Sequence, residues 1–512
     1  MSDTANTPIM VCSKKKLGNM QAKAGTVLAG RENGSITKIL SVSVNAFAES
    51  AECGKAEVKA NIALNIDAVV VYDDGTVGSA MGTNTARVNL ENAKVTEGLA
   101  VNVMPCVLDV TSSLNSGEAT VSVIISADIF AINKNVEVKS IAAGEDVFTR
   151  ESDIEVNTHK TGINHTGRVN LEEKADPKFK SLILSSHTAC IKNIVCNNDY
   201  ITVGGEIFVN TVYECTDGQI KSFIKATSFN EEIEALGVTA GSIAQAKIFT
   251  GKPLTVNAVM GGENAVTLQY ELPFSLTADV FDKTNRECIV DAYHLIKEVN
   301  LTTESFEQSE MFVTRSSEES IIANYTVAET QPRIEKILSV TGGNVSLVNS
   351  FVKNAEVALE GIANINIIYF SEDEEGNNVL NSMVVDLPYS LTFACPDAME
   401  GDNVDAQIIL GEISVKNRRG RELEIIAGVK VSYSLDRPVI SAVATQITFG
   451  EDKPQKDYAL EIYVARENQT LWDIAKYLNI STEDLLTQNA ELTLPVNAGD
   501  KIVCYKKREI KF

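Results

Sequence analysis

Groups able to do chemistry are sparse in this sequence of 512 residues. The four histidines, His159, His165, His187 and His294, have no metal-ligand spacing, and no other residues complete a ligand set with them. Nine cysteines are scattered singly from Cys12 to Cys504, the closest two being Cys190 and Cys196. That scatter argues against a disulfide framework or a zinc site and for buried, reduced thiols. No P-loop, GxSxG or HExxH occurs. Gly261 and Gly262 read as a hairpin turn, not a phosphate cradle. The acidic run SEDEEGN, Ser371–Asn377, lacks EF-hand spacing and reads as a solvated turn. No catalytic residue, metal site or cofactor is therefore expected, and the chain reads as a non-enzyme. Binding chemistry is what remains. The stretch NQTLWDIAKYLNISTEDLLTQNA, Asn468–Ala490, holds the only tryptophan, Trp472. A lone Trp in a small module is a core anchor or a partly exposed contact for a partner.

The charge narrows the partners. Lys and Arg number 45 against 69 Asp and Glu, a formal net charge of −24. A surface this acidic repels nucleic acid and anionic membranes and tolerates basic partners. Two basic spots stand out, KNRRGR at Lys416–Arg421 and the tail KKREIKF at Lys506–Phe512; the first reads as a hairpin tip and a candidate contact for an acidic partner. Lys14, Lys15 and Lys16 are not followed by an apolar run, so neither a signal peptide nor a membrane span is expected, and the cytoplasm is the expected location.

Most of the chain must position these groups with strands. Period-two alternation dominates residues 1–451, as in AEVKANIALNIDAVVVYDDGT, Ala56–Thr76, which ends in an Asp-Gly turn signal. The pattern recurs. ITKILSV at Ile36–Val42 returns as IEKILSV at Ile334–Val340, with IKNIV at Ile191–Val195 as a weaker relative. Each is followed by an alternating strand closed by a turn glycine, Gly75, Gly218 or Gly376, and later by a hairpin, at Val107–Ile129, Pro253–Leu276 and Glu412–Leu435. Three ordered sets of landmarks predict three β-rich copies, each with its own core. Polar stretches at Glu151–Gly167, Thr302–Glu310 and Gly450–Asp457 read as semi-rigid joints. The expected units are residues 1–160, 161–310 and 311–450, then a small module at 457–507.

The module reads as β-α-α-β. LEIYV, Leu460–Val464, alternates like a strand. Thr470 to Asp473 has the form of a capping box, and Leu471, Ile474, Ala475 and Leu478 share one helix face. Ser481 to Asp484 starts a second helix, and Ala498–Tyr505 closes with a strand. This order resembles a LysM domain, whose pattern Tyr463, Thr470, Leu471, Trp472, Ile474 and Ala475 match, as do Leu485 with Asn489 and Pro495 with Gly499 and Ile502. Asn468-Gln469 replaces the family's Gly-Asp; Asn tolerates positive φ, whereas the amide removes a charge from the groove. The resemblance implies a groove lined by Asn468, Gln469, Thr470, Leu471 and Trp472 on one side and Asn489, Ala490, Glu491 and Leu492 on the other.

The three β copies resemble the SPOCS domain of spore-coat-associated proteins of Firmicutes, most clearly in the third copy. Three such domains and a terminal LysM imply a scaffold of spore coat assembly, in mother-cell cytoplasm at the forespore surface. The implied partner is a coat-basement ATPase (SpoIVA-like) or another coat protein. The competing expectation is a binder of peptidoglycan through N-acetylglucosamine chains in the LysM groove.

Overall fold

The computed structural model describes residues 6–32, 34–141, 147–261, 266–454 and 460–505. The protein is mostly β, as its alternation predicts, with twenty-two strands and two short helices among the described residues. The first copy holds β1 (Asn6–Val27), β2 (Ile36–Cys53), β3 (Glu57–Tyr72), β4 (Val77–Glu91), β5 (Val101–Asn115) and β6 (Glu118–Ile141). The second holds β7 (Val147–Lys174), β8 (Phe179–Asn197), β9 (Tyr200–Cys215), β10 (Ile220–Glu234), β11 (Ile243–Phe249), β12 (Thr255–Met260) and β13 (Val266–His294). The third holds β14 (Lys297–Met311), β15 (Arg315–Thr326), β16 (Lys336–Lys353), β17 (Glu356–Glu372), β18 (Asn378–Ala394), β19 (Asn403–Asn417) and β20 (Glu422–Asp452).

Each copy is a sandwich of two antiparallel sheets. One sheet is a meander, β2-β3-β4, β8-β9-β10 or β16-β17-β18; the other is built on the long strand β6, β13 or β20. Alternate residues of the middle strands fill the space between sheets. In the first copy Ile62, Leu64 and Ile66 face Val121, Val123 and Ile125. In the third, Leu359, Ile365 and Ile367 face Ile425, Val429 and Val431. This is what a period-two pattern delivers when two sheets bury their inner faces on each other. The turn glycines Gly75, Gly218 and Gly376 all have positive φ, near 80°, the conformation in which a Cβ is penalised.

The copies close into a ring. The middle strand of each packs on the first meander strand of the next: β3 on β8, β9 on β16 and β17 on β2. The axis is apolar, with Leu40, Leu184 and Leu338 meeting Val69, Val212 and Ile368. These three leucines lie in the segments Ile39–Ser41, Ile183–Ser185 and Ile337–Ser339, so the second-copy counterpart of ITKILSV is Leu182–Ser186, LILSS, and not IKNIV. The IKNIV segment lies further along the same strand, β8.

Two stretches read as joints are strand instead. Glu151–Gly167 lies within β7, which pairs with β13 along its whole length, and Thr302–Glu310 lies within β14, paired with β20. Their polarity reflects one wet strand face, not a loop. They belong to two-stranded arms that run past the sandwiches, and the three arms pack together. Val11, Val156, Val138, Cys288 and Val443 form one shared core, and Cys12, Phe281 and Met311 another. At their base sits a buried charge cluster: Lys14 Nζ lies 3.2 Å from Asp405 and 3.1 Å from Asp436, and Lys247 Nζ lies 2.8 Å from Asp405. One lysine comes from the first copy, the other from the second, and both carboxylates from the third. Burial opposes the charge on Lys14, but the two carboxylates outweigh it and hold the ammonium above the usual lysine range. Among the described residues, no helix is long and apolar enough to cross a membrane.

Candidate functional site

The terminal module has the order read from its sequence: β21 (Leu460–Val464), α1 (Leu471–Leu478), α2 (Thr482–Gln488) and β22 (Lys501–Tyr505). The α1 capping box is formed in both directions. Thr470 Oγ1 accepts from Asp473 N–H at 3.3 Å, and Asp473 Oδ2 accepts from Thr470 N–H at 2.9 Å. Asn479 ends α1 with φ 52°, and Asn468 has φ 61°; both are Asn in the left-handed region, where its short polar side chain is tolerated. Ile474, Ala475, Leu478, Leu485 and Ile502 make the core.

The groove residues divide by what they already hold. Asn489 is committed internally: its Nδ2 donates to Leu485 O and Val503 O, and its Oδ1 accepts from Val503 N–H, all within 2.8 Å. It ties the end of α2 to β22. Gln469 Oε1 accepts from Tyr463 O–H and Arg466 N–H at 2.9 Å, so it stabilises the loop before α1. Leu471 and Leu492 lean on the module core. Asn468, Thr470, Ala490 and Glu491 are exposed and form the open rim.

Trp472 points elsewhere. Its Nε1–H donates to Asp291 Oδ2 at 2.7 Å, and its ring meets Tyr293 edge-on with centroids 4.8 Å apart. Asp291 and Tyr293 belong to β13, at the end of the second copy's arm. Lys476 Nζ donates to the other Asp291 oxygen at 2.6 Å. Tyr293 is 1% exposed, stacks on Phe148 and donates its O–H to Ile480 O at 2.8 Å. Lys453 Nζ adds a bond to Asn479 Oδ1 at 2.7 Å. Burial disfavours the Asp291 carboxylate, but the bonds from Lys476 and Trp472 prevail and hold it below the usual range. Burial pushes the Tyr293 phenol up to about 12. Trp472 is thus the anchor that docks the module on the arm. Sequence reasoning missed Phe148, Asp291 and Tyr293; the available signal was an aromatic near the end of each of two long strands, β7 and β13.

Among the described residues, one apolar surface of the module is uncovered. Leu460, Ile462 and Val464 on β21 and Tyr505 on β22 are at least half exposed. Leu460 is paired with Tyr505 across the sheet, so the four side chains form a stripe.

The remaining candidates have structural partners. His159 bonds Asp279 at 2.8 Å, His165 lies 3.3 Å from Glu231, His187 donates to Pro273 O at 2.7 Å, and His294 Nδ1 accepts from two backbone N–H groups. Among the described residues, no group of three or more His, Cys, Asp or Glu has metal-binding geometry. All nine cysteines are free. In the basic hairpin tip, Arg418 pairs with Glu424 and Arg421 caps Ala328 O and Gln331 O, while Lys416 and Arg419 stay exposed. The Gly262 turn and the basic tail after Tyr505 lie outside the described residues.

Residues 333–417 match the family model described as SipL, SPOCS domain. The match covers β16 to β19, the meander and one further strand of the third copy, and makes that copy similar to a SPOCS domain. No curated protein and no solved structure matches the chain.

Proposed function

We propose that the chain is a non-enzymatic scaffold of spore coat assembly, organised like SipL as three SPOCS-like units followed by a LysM-like module. In this reading it works at the forespore surface in mother-cell cytoplasm. The observation that carries it is the SPOCS match over residues 333–417, on a sandwich that the chain repeats three times and closes into a ring. A closed ring with its charges paired inward suits a rigid platform. The module, residues 457–507 in the sequence partition, would be the docking head, and its partner a coat-basement protein of the SpoIVA-like ATPase type. The exposed stripe Leu460, Ile462, Val464 and Tyr505 supports a protein partner. Apolar side chains clustered on a surface are the usual centre of a protein interface.

A second reading is favoured by a different observation. Because Trp472 is turned to the arm, the groove rim Asn468, Thr470, Ala490 and Glu491 stays open to a glycan chain of peptidoglycan. One experiment separates the two. The full chain, Ile462→Glu and Ala490→Trp are each used for capture from sporulating cells and for sedimentation with peptidoglycan. The scaffold reading expects capture of a coat-basement protein, lost with Ile462→Glu and kept with Ala490→Trp. Sedimentation with peptidoglycan that only Ala490→Trp abolishes, with no coat protein captured, overturns it in favour of glycan binding.

A further inference from the structure

Where the three copies meet, the ring encloses a cavity of about 1050 Å³. All three contribute walls: Ser43 to Ala46 and Val103 to Leu108 from the first, Ser185 to Ala189 and Ala246 to Leu254 from the second, Gly342 to Val345 and Asp405 to Gly411 from the third. The size exceeds what packing leaves by accident, since interiors hold few voids larger than a water, and it reaches the upper range of ligand pockets. Met104, Phe208, Ile224 and Ile409 give it apolar surface. Exposed Met81, Lys252 and Val348 stand at its rim.

Its polar groups follow the pseudo-threefold axis. Val69, Val212 and Ile368 meet there. Two residues earlier on the same strands, hence on the same strand face, stand Asp67, Asn210 and Asn366. Asn366 Nδ2 donates to Val42 O across the copy boundary at 3.5 Å. Asn210 lines the cavity, and its Oδ1 is buried with no hydrogen-bond partner. Asp67 lines it too, and its carboxylate makes no hydrogen bond or ion pair among the described residues. Three lysines line the cavity and none is paired with Asp67: Lys16 pairs with Asp128 and Lys247 with Asp405, each at 2.8 Å, and Lys252 stands exposed at the rim. Burial pushes the Asp67 carboxyl above its ordinary range, with no cation opposing it. A half-buried carboxylate without a partner is costly, and two of the three equivalent positions avoid that cost with Asn.

We propose that the central cavity is a binding site for an ammonium or guanidinium group on an apolar stem, with Asp67 as its counter-ion and Asn210 Oδ1 as a second acceptor. The stem lies on the apolar wall, and the cation supplies the charge and donors that Asp67 and Asn210 Oδ1 are without. A free alkylamine and a basic side chain of a polypeptide share this chemistry. The site is independent of how the terminal module docks.

The test is calorimetric titration of the full chain. The probes are linear alkylamines, alkanols of the same length as controls, and a short apolar peptide bearing one lysine, compared with its norleucine version. At least one amine probe is expected to bind saturably at one site. The corresponding neutral probe should bind about tenfold more weakly, as loss of a charge-assisted hydrogen bond implies. Asp67→Asn should weaken the amine by about the same factor and leave the neutral probe unchanged. Asn already occupies the two equivalent positions, so this variant keeps the fold; an unchanged circular dichroism spectrum checks it. Binding of the alkylamine identifies a small-molecule site, and binding of the lysine peptide alone identifies a partner segment; either supports the proposal. Absence of saturable binding by every amine probe, equal binding of the neutral probes, or unaltered affinity in Asp67→Asn overturns it.

Discussion

The ring and the terminal module are held in opposite ways. In the ring, each copy buries both faces of its middle strand, one inside its own sandwich and one against its neighbours, and Lys14, Lys247, Asp405 and Asp436 pair between copies where water is excluded. The module has a small core of its own and meets the arm mainly through Trp472 and Lys476, both on the Asp291 carboxylate, and through Tyr293 of the arm beneath them. The difference teaches that the ring is held by cores and charges shared between copies, and the module by a local dock on one strand.

The sharpest way to break the comparison is at the charge cluster. Lys14→Ala leaves Asp436 buried without its cation, and removing one partner of a buried pair costs about 3–5 kcal/mol. Urea unfolding followed by far-UV circular dichroism should show that loss in the ring. A smaller effect is expected at the module. Asp291→Ala leaves the Trp472 and Lys476 donors without their acceptor, a loss of about 1–3 kcal/mol. It should shift Trp472 emission to the red without changing the ring's transition. Acid should imitate this substitution. The Asp291 carboxyl is held below its unfolded value, so its contribution is complete above about pH 4 and is lost as pH falls through the native value. Trp472 emission recorded against pH should therefore hold steady near neutrality and redden only in strong acid. The smallest effect is of opposite sign. Burial raises the Asp67 carboxyl, so its native state holds a proton that the unfolded chain has released. Stability therefore falls as pH rises through the native value. Asp67→Asn should remove that fall and give a slightly higher Tm near neutral pH, with no advantage in acid.

Strand content, the turn glycines, the capping box and the β-α-α-β order were legible because each rests on local chemistry: side-chain period, positive φ and short-range hydrogen bonds. The ring was not. Its traces are the unbroken apolar runs Ala68–Val71 and Ile367–Phe370, where alternation fails because both strand faces are covered. The true second-copy landmark, Leu182–Ser186, was obscured because Leu182 stands where Lys38 and Lys336 stand, while IKNIV has a lysine between its two isoleucines as ITKILSV does. Polar arms read as joints because an arm needs only one apolar face in alternate positions. For the candidate site, Asn468 and Thr470 lie in the loop before α1 and Ala490 and Glu491 in the loop after α2. The use of Asn489 as an internal tie and of Trp472 as an anchor depended on partners 14 and 181 residues away in sequence, which no local pattern encodes.

Trp472 is the only tryptophan, so its emission reports the dock, while circular dichroism is dominated by the strands of the ring. Urea titration of the full chain near neutral pH, followed by both signals, tests most directly whether ring and module are separate bodies joined at Asp291. Two transitions are predicted, with emission changing at the lower urea concentration. Coincident transitions by both signals would contradict the account, because ring and module would then be one cooperative unit.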